Sequence, residues 1–371
     1  MRVKNDYTKC VTNLACSVRQ YFELPTMHAT LPALDEELQK YHPRNVVVLL
    51  FDGMGANIME RALPKNAFFR QHKKCNIYTV FPATTTAATT AIRTGLNPVE
   101  HGWLGWNMYY APIDKTIALF YNCEKSKGKN KKIEPCQDFL DHKNYLYQGN
   151  TADDLTKVGN VSATELFPFG DHPYRNLKDM LSQIERLCSQ PGRHYIYAYD
   201  EEPDHTMHKK GPDSIKAGHL ITTRSKKVAN LATKLHDTLL VVVADHGHMK
   251  SRHYYLKDYP EITALLARTT SLEQRATSFK VKDGKKAEFR QRFEIAFGKD
   301  FTLYDSKDVI SSKLFGDGTE TPLFRPALGD FLAITDTGAC LTAPDDKAMP
   351  SNHAGYHDDE IIVPLIIKYC E

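Results

Sequence analysis

Apolar residues along this chain fall in two patterns. Short runs with no polar alternation occur at Asn45–Phe51 (NVVVLLF), His194–Tyr199, Leu239–Ala244 and Ile361–Ile367. Runs of this length, rich in β-branched residues and bounded by Pro and Gly, suit strands buried on both faces of a parallel sheet. Between them lie helical spacings. Leu31, Leu34, Leu38 and Tyr41 share one face of Thr30–Tyr41, and Leu177, Met180, Leu181, Ile184 and Leu187 do so within Tyr174–Ser189. A further run, Ile77–Phe81, reads as a strand stopped at Pro82. The alanine-rich segment after it reads as a helix that ends at Gly95. Strands alternating with helices predict an α/β fold, a mostly parallel central sheet with helices on both faces.

Two regions break this rhythm. Residues 103–172 contain WLGWNMYY and a lysine-rich KSKGKNKK at 125–132, which reads as a solvated surface turn. Residues 250–345 contain a strand-like Ala276–Val281, a turn at Asp283-Gly284 and a helix with Phe289, Phe293 and Phe297 at i, i+4 and i+8. GDFLAIT at 329–335 adds another strand-like segment. Both regions read as cap segments inserted into one α/β domain spanning 1–371, where they shape a substrate pocket. Residues 1–44 read as N-terminal helices packed on the core.

Composition narrows the classes. A chain of 371 residues can bury one large core. A net charge of +3 and a pI near 8.3 give no bulk electrostatic case for a nucleic-acid or membrane partner. The longest apolar runs are too short to cross a bilayer. The first residues, MRVKNDYTKCVTNLACSVRQYF, hold no continuous apolar stretch, so no signal peptide is expected. The eight cysteines are scattered with no CxxC pair, and reduced thiols in a cytoplasmic protein are expected.

The chemistry gathers at strand ends. Asp52 follows the first buried run, and Asp245 and His246 follow another. Asp204 and His208 lie four residues apart after His194–Tyr199, which puts them on one face of a helical turn. His353 precedes the last run. An acidic residue directly after a buried parallel strand lies at the carboxyl edge of the sheet, where open α/β sheets bind ligands. Three aspartates and three histidines suit two zinc-like divalent ions. Phe81–Gly95, FPATTTAATTAIRTG, adds five threonines where a strand hands over to a helix. A hydroxyl there sits beside unsatisfied backbone N–H groups and can act as a nucleophile once its pKa is lowered.

From about Asn45 to Ile367 the chain resembles the alkaline phosphatase superfamily, and within it the type I phosphodiesterase/nucleotide pyrophosphatase family. The motifs that carry the resemblance occur in order: VVVLLFDGMG, FPATTTAATTAIRTGLNPVEHG, YDEEPDHTMHKKGP, VVVADHGH and HAGYHDDEIIVPLII. The resemblance implies that Asp52, Asp245 and His246 hold one ion, its shell completed by the nucleophile oxygen. Asp204, His208 and His353 would hold the other. It places the nucleophile on Thr85, although spacing alone leaves the adjacent Thr84 open. His353 fits the last motif better than His357, and Asp204 fits its motif better than Asp200. His248 is expected to support a ligand rather than bind metal.

An asparagine that helps bind phosphate in many members is absent, its place taken by Thr86-Ala87-Ala88. The turn at Thr86 and the side chain of Asn107 are the expected substrate contacts. Trp103, Trp106, Tyr109 and Tyr110 offer flat surfaces on which a base could stack. The implied function is a two-metal, zinc-dependent phosphodiesterase or nucleotide pyrophosphatase acting on a small phosphoester, including a nucleotide, through a phosphothreonine-type intermediate. A phosphomonoesterase, a phosphonate hydrolase and an inactive metal-binding homologue are the alternatives. A sulfatase is disfavoured because no C/S-x-P-x-R stretch occurs.

Overall fold

The computed structural model describes residues 4–125, 134–170, 173–344 and 346–371. Of the lysine-rich turn expected at 125–132, all but Lys125 lies outside them. Six strands form the central sheet: β1 (Asn45–Phe51), β2 (Lys73–Tyr78), β3 (Ser162–Leu166), β4 (His194–Asp200), β5 (Thr238–Val243) and β6 (Ile362–Cys370), in the order β2-β6-β5-β1-β4-β3. β5, β1, β4 and β3 run parallel. Every residue of β1, β4 and β5 is buried, as runs without polar alternation require. β6 runs antiparallel to both neighbours. The chain reaches it from the segment that carries His353, already at the carboxyl edge, so the strand must run back across the sheet.

Helices cover both faces. Val11–Tyr21, Thr85–Thr94 and Thr151–Val158 form one group, and Ala56–Ala62, Leu177–Cys188 and Ile215–Ala232 another. The N-terminal helix Val11–Tyr21 packs directly on Thr85–Thr94. At their junction Gly95 takes a left-handed φ of +73°, and a Cβ there would stand 3.2 Å from both Arg19 Cδ and Cys16 Sγ.

Two boundaries differ from the sequence reading. The strand expected at Ile77–Phe81 is instead β2, Lys73–Tyr78, an edge strand whose outward residues are polar. Thr79–Phe81 leave the ladder, where Phe81 N donates to the Tyr7 hydroxyl. β3 falls inside the region read as the first cap segment, yet it closes the other edge of the central sheet. Its sequence, SATEL, is half-exposed and shows no apolar run.

The remainder of the two regions is joined. Asn107–Tyr110, Lys115–Ala118 and Cys123–Glu124 from the first pair through Ser271–Leu272 with Ala276–Phe279, Phe331–Ile334 and Thr302–Asp305 from the second, in one seven-stranded sheet. The helix Lys286–Phe297 covers it with buried Phe289, Phe293 and Phe297, packed against Phe279 and Phe331.

A fully buried ion pair ties this cap to the core. Arg275 holds Glu360 through two parallel 2.7 Å hydrogen bonds and donates a third to Ala339 O at 3.0 Å. Glu360 also accepts from Gly355 N, two residues past His353. Removing one partner strands a charge without solvent. Arg275→Ala is therefore expected to lower stability by about 3–5 kcal/mol, read from urea unfolding at neutral pH. Arg275→Lys should recover only part of this, because an ammonium cannot reproduce the paired geometry.

Candidate active site

The register of the parallel strands brings the acids together. Leu50 lies opposite Tyr199 on one side and Val243 on the other, so β1, β4 and β5 end level with one another. Asp52, Asp204 and Asp245 follow those ends. Backbone bonds lock the turns: Asp52 N donates to Asp200 O, and Asp204 N to Asp52 O. Gly53 N and His246 N both donate to Asp245 Oδ1 at 3.0 and 2.9 Å. Gly247 permits the tightest approach, since a Cβ there would stand 1.9 Å from Asp359 O.

The first cluster comprises Asp52, Asp245 and His246, all buried. His246 Nε2 stands 3.4 Å from Asp52 Oδ1 and 3.4 Å from Asp245 Oδ2. Thr85 Oγ1 lies 3.2 Å from the same nitrogen and 3.3 Å from Asp52 Oδ2. Ligand atoms arranged tetrahedrally around a zinc-sized ion stand about 3.3 Å apart. Asp52 Oδ1 and Asp245 Oδ2 are buried without a hydrogen-bond donor. Two orphaned carboxylate oxygens at ligand spacing fit a divalent cation.

The second cluster groups Asp204, His353, His248 and the shared His246. His208 lies at its margin, its Nε2 3.4 Å from Asp204 Oδ2. The outer nitrogens of three histidines meet carbonyls, which can only accept. His246 Nδ1 faces Gly247 O, His208 Nδ1 faces Ser351 O, and His353 Nδ1 faces Ala83 O. In the neutral ring each Nδ1 then carries the proton and each Nε2 keeps its lone pair, the tautomer a metal needs. His248 is held differently, with Ser351 Oγ on one side and Asp204 Oδ1 on the other. It donates to a candidate ligand.

The electrostatics reflect crowded carboxylates. Burial, then the charges of Asp245 and Asp204, pushes Asp52 well above the usual carboxylate range. Burial also raises Asp245, against the pull of His246. Asp204 goes the other way: burial pushes it up, but His208 and His248 outweigh that and hold it well below its ordinary value. Burial, then the His246 charge, keeps His353 neutral far below its usual pKa. Burial lowers His248 to about 4, against Asp204.

The remaining expected residues divide. Thr84 turns its hydroxyl to Glu273 Oε1 at 2.7 Å, away from the clusters. His357 caps the helix Asp358–Ile361, and Asp200 pairs with Arg224 at 2.8 Å. Asn107 and Trp106 line a cavity of about 820 Å³ together with Thr85, Asp204 and His353. Thr86 does not line it and is fully buried, its hydroxyl oxygen without a partner. Trp103 is part-buried, with its Nε1–H donated to Tyr147 O, and Tyr110 is fully buried.

Sequence reasoning missed two residues. Tyr199 donates to Asp52 Oδ2 at 2.5 Å. Its only signal was a hydroxyl-bearing residue beside Asp200 at a strand end. Glu273 had no signal, because it reaches the site from the cap.

A family model described as type I phosphodiesterase / nucleotide pyrophosphatase matches residues 46–358. The chain belongs to this family. The match spans both clusters and the threonine helix. Among curated relatives, rat ectonucleotide pyrophosphatase/phosphodiesterase family member 3 is 27% identical over 244 residues, covering 58% of this chain and 27% of the relative. Human family member 1 is 25% identical over 211 residues, covering 50% and 22%. The chain thus spans about a quarter of the length of the curated relatives it matches. Among solved structures, murine ectonucleotide pyrophosphatase / phosphodiesterase 5, an inactive threonine-to-alanine variant in complex with AMP, superposes with a TM-score of 0.65 at 19% identity. That match covers 86% of this chain and 87% of the other. The human counterpart gives a TM-score of 0.65 at 18% identity, with 87% of each chain covered. At this identity the likeness establishes the alkaline phosphatase-like fold.

Substitution separates ligands from supports. Asp52→Asn is expected to reduce tightly bound divalent metal from about two equivalents per chain to about one, measured by elemental analysis after dialysis. His248→Ala should retain both equivalents but weaken one of them by roughly 10–100-fold, read by competition with a chelator.

Proposed function

We propose that this protein is a two-metal phosphodiesterase of the nucleotide pyrophosphatase type, with Thr85 as nucleophile. The observation that carries the reading is the position of Thr85 Oγ1, at ligand distance from His246 and Asp52 and on the wall of the cavity. Asp52, Asp245 and His246 would hold one ion, and Asp204, His208 and His353 the other. The three-histidine share favours zinc. When bound, the two ions supply Lewis-acid charge that acidifies the nucleophile and neutralises the departing oxygen.

The chain's own groups do the rest. Thr85 begins the helix Thr85–Thr94 and lines the cavity, so its backbone N–H has no helical partner and can hold a non-bridging phosphoryl oxygen. Thr85 Oγ1 donates toward Asp52 Oδ2, which orients the oxygen for attack. The new phosphorus–oxygen bond forms as the ester oxygen departs on the opposite side, and water then cleaves the phosphothreonine. The rest of the threonine cluster is structural: Thr89, Thr90 and Thr94 return their hydroxyls to carbonyls four residues back.

A cavity of about 820 Å³ leaves room beside the phosphoryl group for a nucleoside-sized substituent. The AMP held by murine phosphodiesterase 5 supports a nucleotide-like substrate, and the inactivity of its threonine-to-alanine variant supports a threonine nucleophile. All eight cysteines are unpaired, which supports a reducing compartment, although the curated relatives are named as ectoenzymes. Among the described residues no helix is long and apolar enough to cross a membrane.

Metal-loaded protein is expected to cleave p-nitrophenyl thymidine monophosphate faster than p-nitrophenyl phosphate. Thr85→Ala should lower the diester rate by roughly a thousandfold or more with metal content unchanged, whereas Thr84→Ala should retain most of it. Faster monoester cleavage would reassign the protein to the phosphatases. Full activity in Thr85→Ala would remove the nucleophile assignment.

A further inference from the structure

Glu273 belongs to no motif, yet its carboxyl stands in the cavity wall. It opens the short connection between the cap strands Ser271–Leu272 and Ala276–Phe279. The backbone is clamped on both sides: Glu273 N donates to Ala276 O at 3.1 Å, and Thr277 Oγ1 donates to Glu273 O at 2.7 Å. Its side chain is therefore aimed by a rigid turn. One oxygen, Oε1, accepts from Thr84 Oγ1 and from Trp106 N, both at 2.7 Å. The other, Oε2, takes no hydrogen bond among the described residues. No lysine or arginine there pairs with the carboxyl. Lys125, in the same cavity, is committed to Asp346 at 3.0 Å and to Thr270 O at 3.3 Å.

Burial raises the Glu273 carboxyl to about 7, so above that pH it is ionised; an ionised oxygen facing a cavity accepts but cannot donate, and it repels a phosphoryl oxygen. Whatever meets Oε2 must bring a hydrogen-bond donor. The neighbouring wall is polar, with Gln274 and Thr277 beside the charged Lys125, Asp346 and Lys347. Asn107 lines it, and the Ser271 hydroxyl, buried beneath the surface, has no partner of its own. Polar donors and acceptors around one carboxylate suit a hydroxylated group better than an apolar one or a second anion.

We propose that Glu273 determines specificity, accepting a hydrogen bond from a hydroxyl on the group esterified to the phosphate, so that polyol or sugar esters are taken over apolar ones. The inference rests on the phosphodiesterase reading and names the substrate class of that site. Loss of such a bond is selective, because an ester without the hydroxyl leaves the carboxylate unpaired on binding.

The test uses a matched pair of diesters, p-nitrophenyl 2,3-dihydroxypropyl phosphate and p-nitrophenyl propyl phosphate, with the metal-loaded protein. The wild type is expected to favour the dihydroxypropyl ester by roughly tenfold or more in kcat/KM. Glu273→Gln keeps an amide oxygen for Thr84 and Trp106 but replaces the Oε2 acceptor with a donor. It should bring the ratio to within about threefold of unity, with the change carried by KM. Glu273→Ala also releases Thr84 and Trp106, so kcat should fall for both esters. Equal wild-type rates on the two esters overturn the proposal alone. An equal loss on both esters in Glu273→Gln also overturns it and leaves Glu273 a prop for the nucleophile turn. Cleavage of neither ester overturns the phosphodiesterase reading, and this proposal falls with it. Should the Gln variant fail to fold, the wild-type ratio still decides.

Discussion

Three carboxylates, Asp52 and Asp245 buried and Asp204 part-buried, stand together, and among the described residues no lysine or arginine neutralises them. Asp52, Asp204 and Asp245 follow three adjacent parallel strands, and among the described residues only histidines pair with them. Carboxylates packed this way would ordinarily take up protons or separate. Asp52 and Asp245 do hold their protons more tightly, but separation is closed to them. Their turns are pinned by backbone bonds from Asp52 and Asp204 and by the two N–H groups on Asp245. The fold thus concentrates negative charge that protons or cations relieve, and the sheet register is what concentrates it. Binding of divalent ions and stability of this edge are one equilibrium.

The cap completes the edge and does not merely cover it. Arg275 anchors Glu360, and through it the segment that delivers His353, while Glu273 reaches the first residue of the nucleophile turn. Both residues sit on the same short connection, two positions apart. One small piece of the antiparallel sheet therefore sets the place of a candidate ligand and of Thr84, the neighbour of the proposed nucleophile. Rearrangement of the cap would be felt at both.

What the chain discloses in advance follows from where each interaction is encoded. NVVVLLF names a buried strand because burial on both faces leaves a local trace, and the acids after such runs inherit their place from the strand. The edge strands leave no such trace: β3 is half-exposed, and the polar outer face of β2 shifts its bounds. The six candidate ligands were legible because each sits at a fixed distance from a strand end or a glycine. Tyr199 and Glu273 were not, because their partners lie 147 and 189 residues away and no spacing records them. His248, expected from the sequence to support a ligand, meets Asp204 Oδ1 and also stands within the second cluster.

The threonine pair shows how backbone conformation parts two side chains that spacing leaves alike. Thr84 is extended, with φ −138° and ψ 148°, and Thr85 opens the helix. At such a junction consecutive side chains leave the backbone in different directions. Thr84 forgoes the side-chain cap that its position would offer and gives its hydroxyl to the cap's carboxylate. Thr85, one residue on, meets Asp52 and His246. Two identical hydroxyls thus acquire different partners, one fastening the turn to the cap and one facing the candidate metal cluster. The division depends on the helix starting where it does. A shift of one residue would hand the metal-facing position to Thr84 or Thr86 and leave Glu273 without its donor.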